Sequence, residues 1–146
     1  VPRQRAGGHN YLLASHTGEL CSVETSARAH SILEGPEGWL VHTNHYLAAS
    51  MQALEQPGSY TGSHLRLRRA QELLKSQLGG VTVGSLQDIL RNHANKPLSI
   101  CAHPDGADPP HEQDMTIASL VMDLTDGVLW AAAGPPCAAG YVDYAL

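Results

Sequence analysis

Between His9 and His42 the chain breaks into runs of strand length, each closed by a turn signal, and that punctuation excludes most folds. His9 to Ser15 reads as a mostly buried strand, and Thr17-Gly18-Glu19 turns it with a glycine where a positive φ costs little. Leu20 to Thr25 returns, which makes residues 9–25 a β-hairpin. His30 to Leu33 reads as a third strand. Glu34-Gly35-Pro36-Glu37-Gly38 is its turn into a fourth, Trp39 to His42. Strands and turns this short pair most economically as an antiparallel meander.

The pattern fades from Ala48, and residues 56–62 have loop composition. Ser63 is the expected N-cap of a helix reaching about Leu78, with Leu67, Ala70, Leu74 and Leu78 as a stripe to pack on the sheet. Thr82 or Ser85 opens a second helix that ends at Asn95-Lys96-Pro97. Leu98 to Ala102 is a short strand candidate, and residues 103–111 read as an exposed loop. Thr116 to Met122 and Val128 to Ala133 flank Asp126-Gly127, a strong hairpin turn, and Tyr141 to Tyr144 is a short extended piece. Strands, then two helices, then strands is α+β, with helices layered on a largely antiparallel sheet. A length of 146 residues matches one domain.

Apolar residues make up 42% and charged residues 16%, so most of the chain is built to be packed. A net charge of −5 with only 9 Lys and Arg argues against a general nucleic-acid binder or an anionic-membrane binder. No apolar run is long enough to span a bilayer. Cys21, Cys101 and Cys137 are an odd number at unrelated spacings, which makes no disulfide framework and fits a reducing, cytoplasmic setting. Val1-Pro2-Arg3-Gln4-Arg5 lacks an initiator Met and leads at once into strand-like sequence. The expectation is a piece of something longer.

Chemistry concentrates at His42-Thr43-Asn44-His45, where the fourth strand should run out. An amide fixed by a strand end offers donors without charge, which suits an oxyanion; the plain alternative is a polar strand exit with solvated histidines. Glu24-Thr25-Ser26 on an adjacent strand is placed to share a pocket wall with Asn44. His42, His45, His103 and His111 are candidate metal ligands, but their spacing does not fit the helical zinc motifs, so no metal is expected. There is no Gly-x-Ser-x-Gly elbow, and no cysteine has neighbours that would plainly lower its pKa. The residues by themselves support a binding surface without a nucleophile.

Several of these segments, in order, resemble the acyl-coenzyme A:isopenicillin N acyltransferase family. They are Asn10-Tyr11-Leu12-Leu13-Ala14, Gly18-Glu19, Glu24-x-Ser26, His42-Thr43-Asn44-His45, Ser63-x-x-Arg66-x-x-Arg69, Pro97-Leu98-Ser99-Ile100-Cys101 and Gly134-Pro135-Pro136. The resemblance implies a cysteine N-terminal nucleophile hydrolase with an αββα sandwich, activated by autocatalytic cleavage. It makes Asn44 the oxyanion-hole amide and Ser26 part of the substrate pocket, with His45 and Arg66 as further substrate-binding residues. Family members that form penicillin carry a Ser-Arg pair where this chain reads Glu112-Gln113, which points to another amine or amide substrate. The nucleophile is not expected in this chain. The resemblance implies a C-terminal half whose partner is the N-terminal half carrying the Cys. No cofactor is implied, and a coenzyme A thioester would enter as substrate. The competing reading is a non-catalytic binding domain derived from the same fold.

Overall fold

The computed structural model describes residues 7–35, 37–55, 60–107, 109 and 113–146, and the chain divides into two compact units, residues 1–67 and 68–146. The first unit holds β1 (His9–Ala14), β2 (Leu20–Thr25) and β3 (His30–Glu34), paired antiparallel in that order. Gly18 turns the hairpin at φ +92°, and the Ser15 and Thr17 hydroxyls hold the turn by donating to the Glu19 carboxylate. Tyr11 lies opposite Val23, which lies opposite Ile32; Asn10, Glu24 and Ser31 form the next row. Alternation therefore splits the sheet into two unlike faces. Ser22 and Glu24 are buried on one, while Tyr11, Leu13 and Ile32 on the other are 47–59% exposed.

The expected fourth strand does not form: residues 39–43 are irregular. The reason lies in where the next backbone amides go. The N–H groups of Asn44 and His45 donate to Ser63 Oγ (2.8 and 3.1 Å), and that of Tyr46 donates to the Glu55 carboxylate. Those of Leu47 and Ala48 donate to Glu24 (2.5 and 3.1 Å). Consecutive amides from Asn44 to Ala48 are thus satisfied by side chains, and side-chain acceptors have replaced a ladder. The Tyr46 hydroxyl adds a strap by donating to Thr25 O at 2.8 Å. It passes so close to Gly8 that a Cβ there would sit 2.1 Å from the hydroxyl oxygen. A short helix, α1 (Ala49–Gln52), follows and buries Met51.

Helix α2 (Thr61–Lys75) begins before Ser63, so that hydroxyl is not its N-cap. The expected apolar stripe is also corrected. Ser63 is the one buried side chain of α2; Leu67, Ala70 and Leu74 are half-buried, and Leu78 lies beyond the helix end and is exposed.

In the second unit α3 (Val83–Leu90) starts at a capping box in which Thr82 and Ser85 exchange side-chain and backbone bonds. It packs on β4 (Ala118–Asp123), which pairs antiparallel with β5 (Val128–Ala133), and β5 pairs with β6 (Val142–Ala145). The β4–β5 turn places Gly127 at φ +65°, and Asp123 Oδ1 accepts from the Thr125 and Asp126 amides. Ile89, Val121 and Ala132 are buried here, whereas Leu120, Met122, Val142 and Tyr144 are exposed. Residues 98–101 are bends, not the expected strand. The fold class is α+β, with two antiparallel three-stranded sheets and three helices among the described residues. No helix among them is long and apolar enough to cross a membrane.

Glu24 has no exposed surface, and His42 Nε2 meets its Oε1 at 2.6 Å. Removing a buried partner leaves the other groups without compensation. Glu24→Ala should therefore lower the unfolding free energy by about 3–5 kcal/mol in urea titrations. A loss below about 1 kcal/mol, the level of an exposed ion pair, would show that the loop does not depend on it.

Candidate active site

The first unit contains a cleft of about 410 Å³, bounded by His42, Thr43, Asn44 and Tyr46 on the loop, residues 8–10 at the start of β1, and Tyr60. Asn44 is an exposed residue on its wall. Ser63 and Arg66 lie three residues apart on α2, and so on neighbouring positions of one face. Ser63 Oγ holds the Asn44 backbone, and Arg66 NH2 donates to Asn44 Oδ1 at 2.6 Å. A guanidinium only donates, so the oxygen must face Arg66 and the orientation of the amide is fixed. The Nδ2 hydrogens are left without a partner among the described residues. One helix face thus clamps Asn44 at both ends, with its donors available to the cleft.

The other expected site residues are used differently. His45 is buried, its Nδ1 lies 2.8 Å from Ser63 Oγ, and its ring packs against His64, tilted by 41°, at 3.7 Å between centroids. Ser26 shapes the β2–β3 turn: its Oγ accepts from the Arg28 and Ala29 amides. Neither lines the cleft among the described residues. Thr25 Oγ1 donates to His9 O, and Glu24 is committed to the loop, so the hydroxyl-and-amide wall expected from Glu24-Thr25-Ser26 with Asn44 is not assembled. Asn10, which sequence reasoning did not single out, does line the cleft, and its Oδ1 accepts from Ser22 Oγ at 2.6 Å. The signal for it was the strand register: Asn10 sits directly opposite Glu24.

His42 is also a structural group. Nε2 faces Glu24 Oε1 at 2.6 Å and Nδ1 faces Thr43 O at 2.5 Å, so each ring nitrogen meets an oxygen that accepts. His42 therefore has no nitrogen free for the metal set His42, His45, His103 and His111, and the Nδ1 of His45 is taken by Ser63; His111 lies outside the described residues. His103 instead belongs to a separate group with His93, Cys101 and Cys137.

No cysteine, serine or lysine is among the described residues lining the cleft. The hydroxyl of Thr43, which does line it, donates to Ser63 O (3.1 Å) and accepts from Ser63 Oγ (2.9 Å). Cys21 is half-buried in β2, and burial pushes the Cys101 thiol up from its ordinary value, away from the nucleophilic thiolate. Among the described residues the cleft therefore offers hydrogen-bond donors.

A family model described as acyl-coenzyme A:6-aminopenicillanic acid acyl-transferase matches residues 3–137. No curated protein matches the chain.

Burial, reinforced by the neighbouring His64, holds the His45 pKa below its ordinary value, against the opposing pull of Glu55 and Glu24. The unfolded chain therefore binds this proton more readily than the folded one. The His45 contribution to stability is complete above about pH 6.5 and is lost as pH falls toward the depressed value. Unfolding free energy should drop on acidification through that window, and His45→Asn should flatten the drop. An unchanged slope in the variant would show that His45 stays solvated.

Proposed function

The chain belongs to the acyl-coenzyme A:6-aminopenicillanic acid acyl-transferase family, and on that premise we propose that it supplies the oxyanion-binding wall of a cysteine acyltransferase or amidohydrolase. The observation that carries this reading is Asn44, whose oxygen is held by Arg66 and whose N–H donors are left to the cleft. Attack of a thiolate on a thioester or amide carbonyl puts negative charge on that oxygen. A donor already oriented needs no reorganisation when the charge develops. Asn10, on the same cleft, offers a second amide. Collapse of the tetrahedral intermediate expels a thiol or an amine and leaves an acyl-enzyme, which an acceptor amine or water then releases.

In this reading the nucleophile is the N-terminal Cys of a companion half, its α-amino group acts as base, and the two halves complete an αββα sandwich. The cleft's lack of a nucleophile among its described residues supports that division. So do the exposed apolar rows on both sheets, Tyr11, Leu13 and Ile32 on one and Leu120, Met122 and Tyr144 on the other, which a further layer would cover. Arg66 is a positioning residue here: it holds the amide and does not touch the reacting atoms.

Thioester or amide turnover should require a companion segment with a free N-terminal cysteine and vanish when that cysteine becomes alanine. In the assembled enzyme Asn44→Ala should lower kcat about 10²–10³-fold, the usual effect of losing one oxyanion donor. Turnover by this chain alone, abolished by Cys21→Ser, would place the nucleophile here and overturn the division of labour.

A further inference from the structure

In the second unit, well away in sequence from the Asn44 cleft, four metal-ligating side chains converge: His93, Cys101, His103 and Cys137, with one ligand atom of each within 4.8 Å of all the others. His103 Nε2 lies 3.0 Å from His93 Nε2, 3.5 Å from Cys101 Sγ and 3.2 Å from Cys137 Sγ, and the two sulfurs are 3.6 Å apart. One imidazole nitrogen carries either a single proton or a single lone pair, so it cannot serve three such partners by hydrogen bonding. A common central ion can.

Four of the six edges of this group match a tetrahedral site. Bonds of about 2.3 Å to sulfur and about 2.0–2.1 Å to nitrogen give tetrahedral edges of about 3.8 Å (S···S), 3.6 Å (S···N) and 3.3–3.4 Å (N···N). The four separations given above follow the same order and fall within a few tenths of an ångström of these, and the two His93–sulfur edges lie within 4.8 Å. A disulfide needs its sulfurs at about 2.0 Å, far inside the 3.6 Å found.

The backbone around each ligand is tied down as well. His93 follows α3, and the Cys101 amide donates to Asn92 O, which folds Cys101 back beside it (3.0 Å). Ser99 Oγ donates to Cys101 O at 2.6 Å. Ala102, between Cys101 and His103, is held from both sides by Thr116: its amide donates to Thr116 Oγ1, and its carbonyl accepts from the Thr116 amide. On the far side, Arg91 Nε donates to Pro136 O at 3.0 Å, fixing the residue before Cys137. Such supports set ligand orientation in metal sites.

We propose that His93, Cys101, His103 and Cys137 form a structural zinc site. Two thiolates and two imidazoles are the donor set of a tetrahedral zinc centre and a poor match for magnesium or calcium. On binding, the two thiols release their protons to solvent, and the dication balances the two thiolates, leaving a neutral centre in a half-buried place. With four protein ligands there is no open position for a water, so the ion cross-links the end of α3, the 98–103 segment and the loop before β6 and does no chemistry.

The test uses the whole protein, reduced and stripped of metal, then titrated with zinc or cobalt(II). One zinc per chain is expected. Cobalt should give tetrahedral visible bands with thiolate-to-metal charge transfer, and zinc should protect Cys101 and Cys137, but not Cys21, from alkylation mapped by mass spectrometry. Cys137→Ser should lose the charge-transfer intensity, and Cys21→Ser should keep it. If a variant fails to fold, the alkylation map of the unaltered protein decides. Failure of the reduced protein to take up either metal, equal alkylation of all three cysteines with zinc present, or a Cys101–Cys137 disulfide that persists under reductant and zinc would each overturn the proposal.

Discussion

The first unit is arranged around a carboxylate that water does not reach. Glu24 sits on the inward face of β2, where a strand of this kind ordinarily places an apolar residue. A carboxylate is tolerated there only if protein donors replace the water it has lost. His42 and the amides of Leu47 and Ala48 supply them, so the loop from His42 to Ala48 must wrap the acid. That requirement sets the path of the backbone past Thr43 and Asn44, and so the wall of the cleft. The shape of the site is thus a consequence of satisfying one buried charge.

What was legible in the sequence, and what was not, follows from where the deciding interaction lies. Both hairpins were legible because their determinants are local: a turn glycine at positive φ, Gly18 or Gly127, between alternating strands. The start of α3 was legible for the same reason, since Thr82 and Ser85 form its capping box within one turn. The Trp39–His42 strand was misread because apolar alternation was present, but the following amides find acceptors in Glu24, Glu55 and Ser63, all distant in sequence. Ser63 looks like a cap in the sequence because a serine hydroxyl accepts backbone N–H bonds. It does so here, for amides of another segment. Asn44 was visible from its setting, whereas its pairing with Arg66 depends on how α2 meets the loop. His103 stands out in the sequence as a candidate ligand, but its grouping with His93, Cys101 and Cys137 is not legible there, because only Cys101 and His103 are close in sequence and tertiary folding brings the others to them.

The buried apolar inventory of each unit is short among the described residues. Ala48 and Met51 are buried in the first, and Ile89, Cys101, Val121, Ala132 and Pro136 in the second. Units of about 70–80 residues seldom draw enough stability from a single small core, and polar or metal cross-links commonly make up the difference. The two units meet this shortage differently. The first uses a carboxylate and a hydroxyl that gather backbone amides; the second gathers thiols and imidazoles. Each device joins segments that no continuous ladder connects.

This economy bears on the oxyanion role proposed for Asn44. A side-chain amide on an irregular loop is ordinarily free to rotate, and an oxyanion donor that must reorient during the reaction loses most of its value. Here the loop is anchored to the sheet through Glu24, while α2 grips the same residue twice, at its backbone through Ser63 and at its oxygen through Arg66. Sheet and helix therefore both constrain one amide, and the rotation that would present its oxygen to the cleft breaks the contact with a charged donor. Charge-assisted hydrogen bonds are roughly twice as strong as neutral ones, so the donor orientation is the one the protein holds before any substrate arrives. Preorganisation at this position is built from polar contacts because the unit has little apolar core with which to build it.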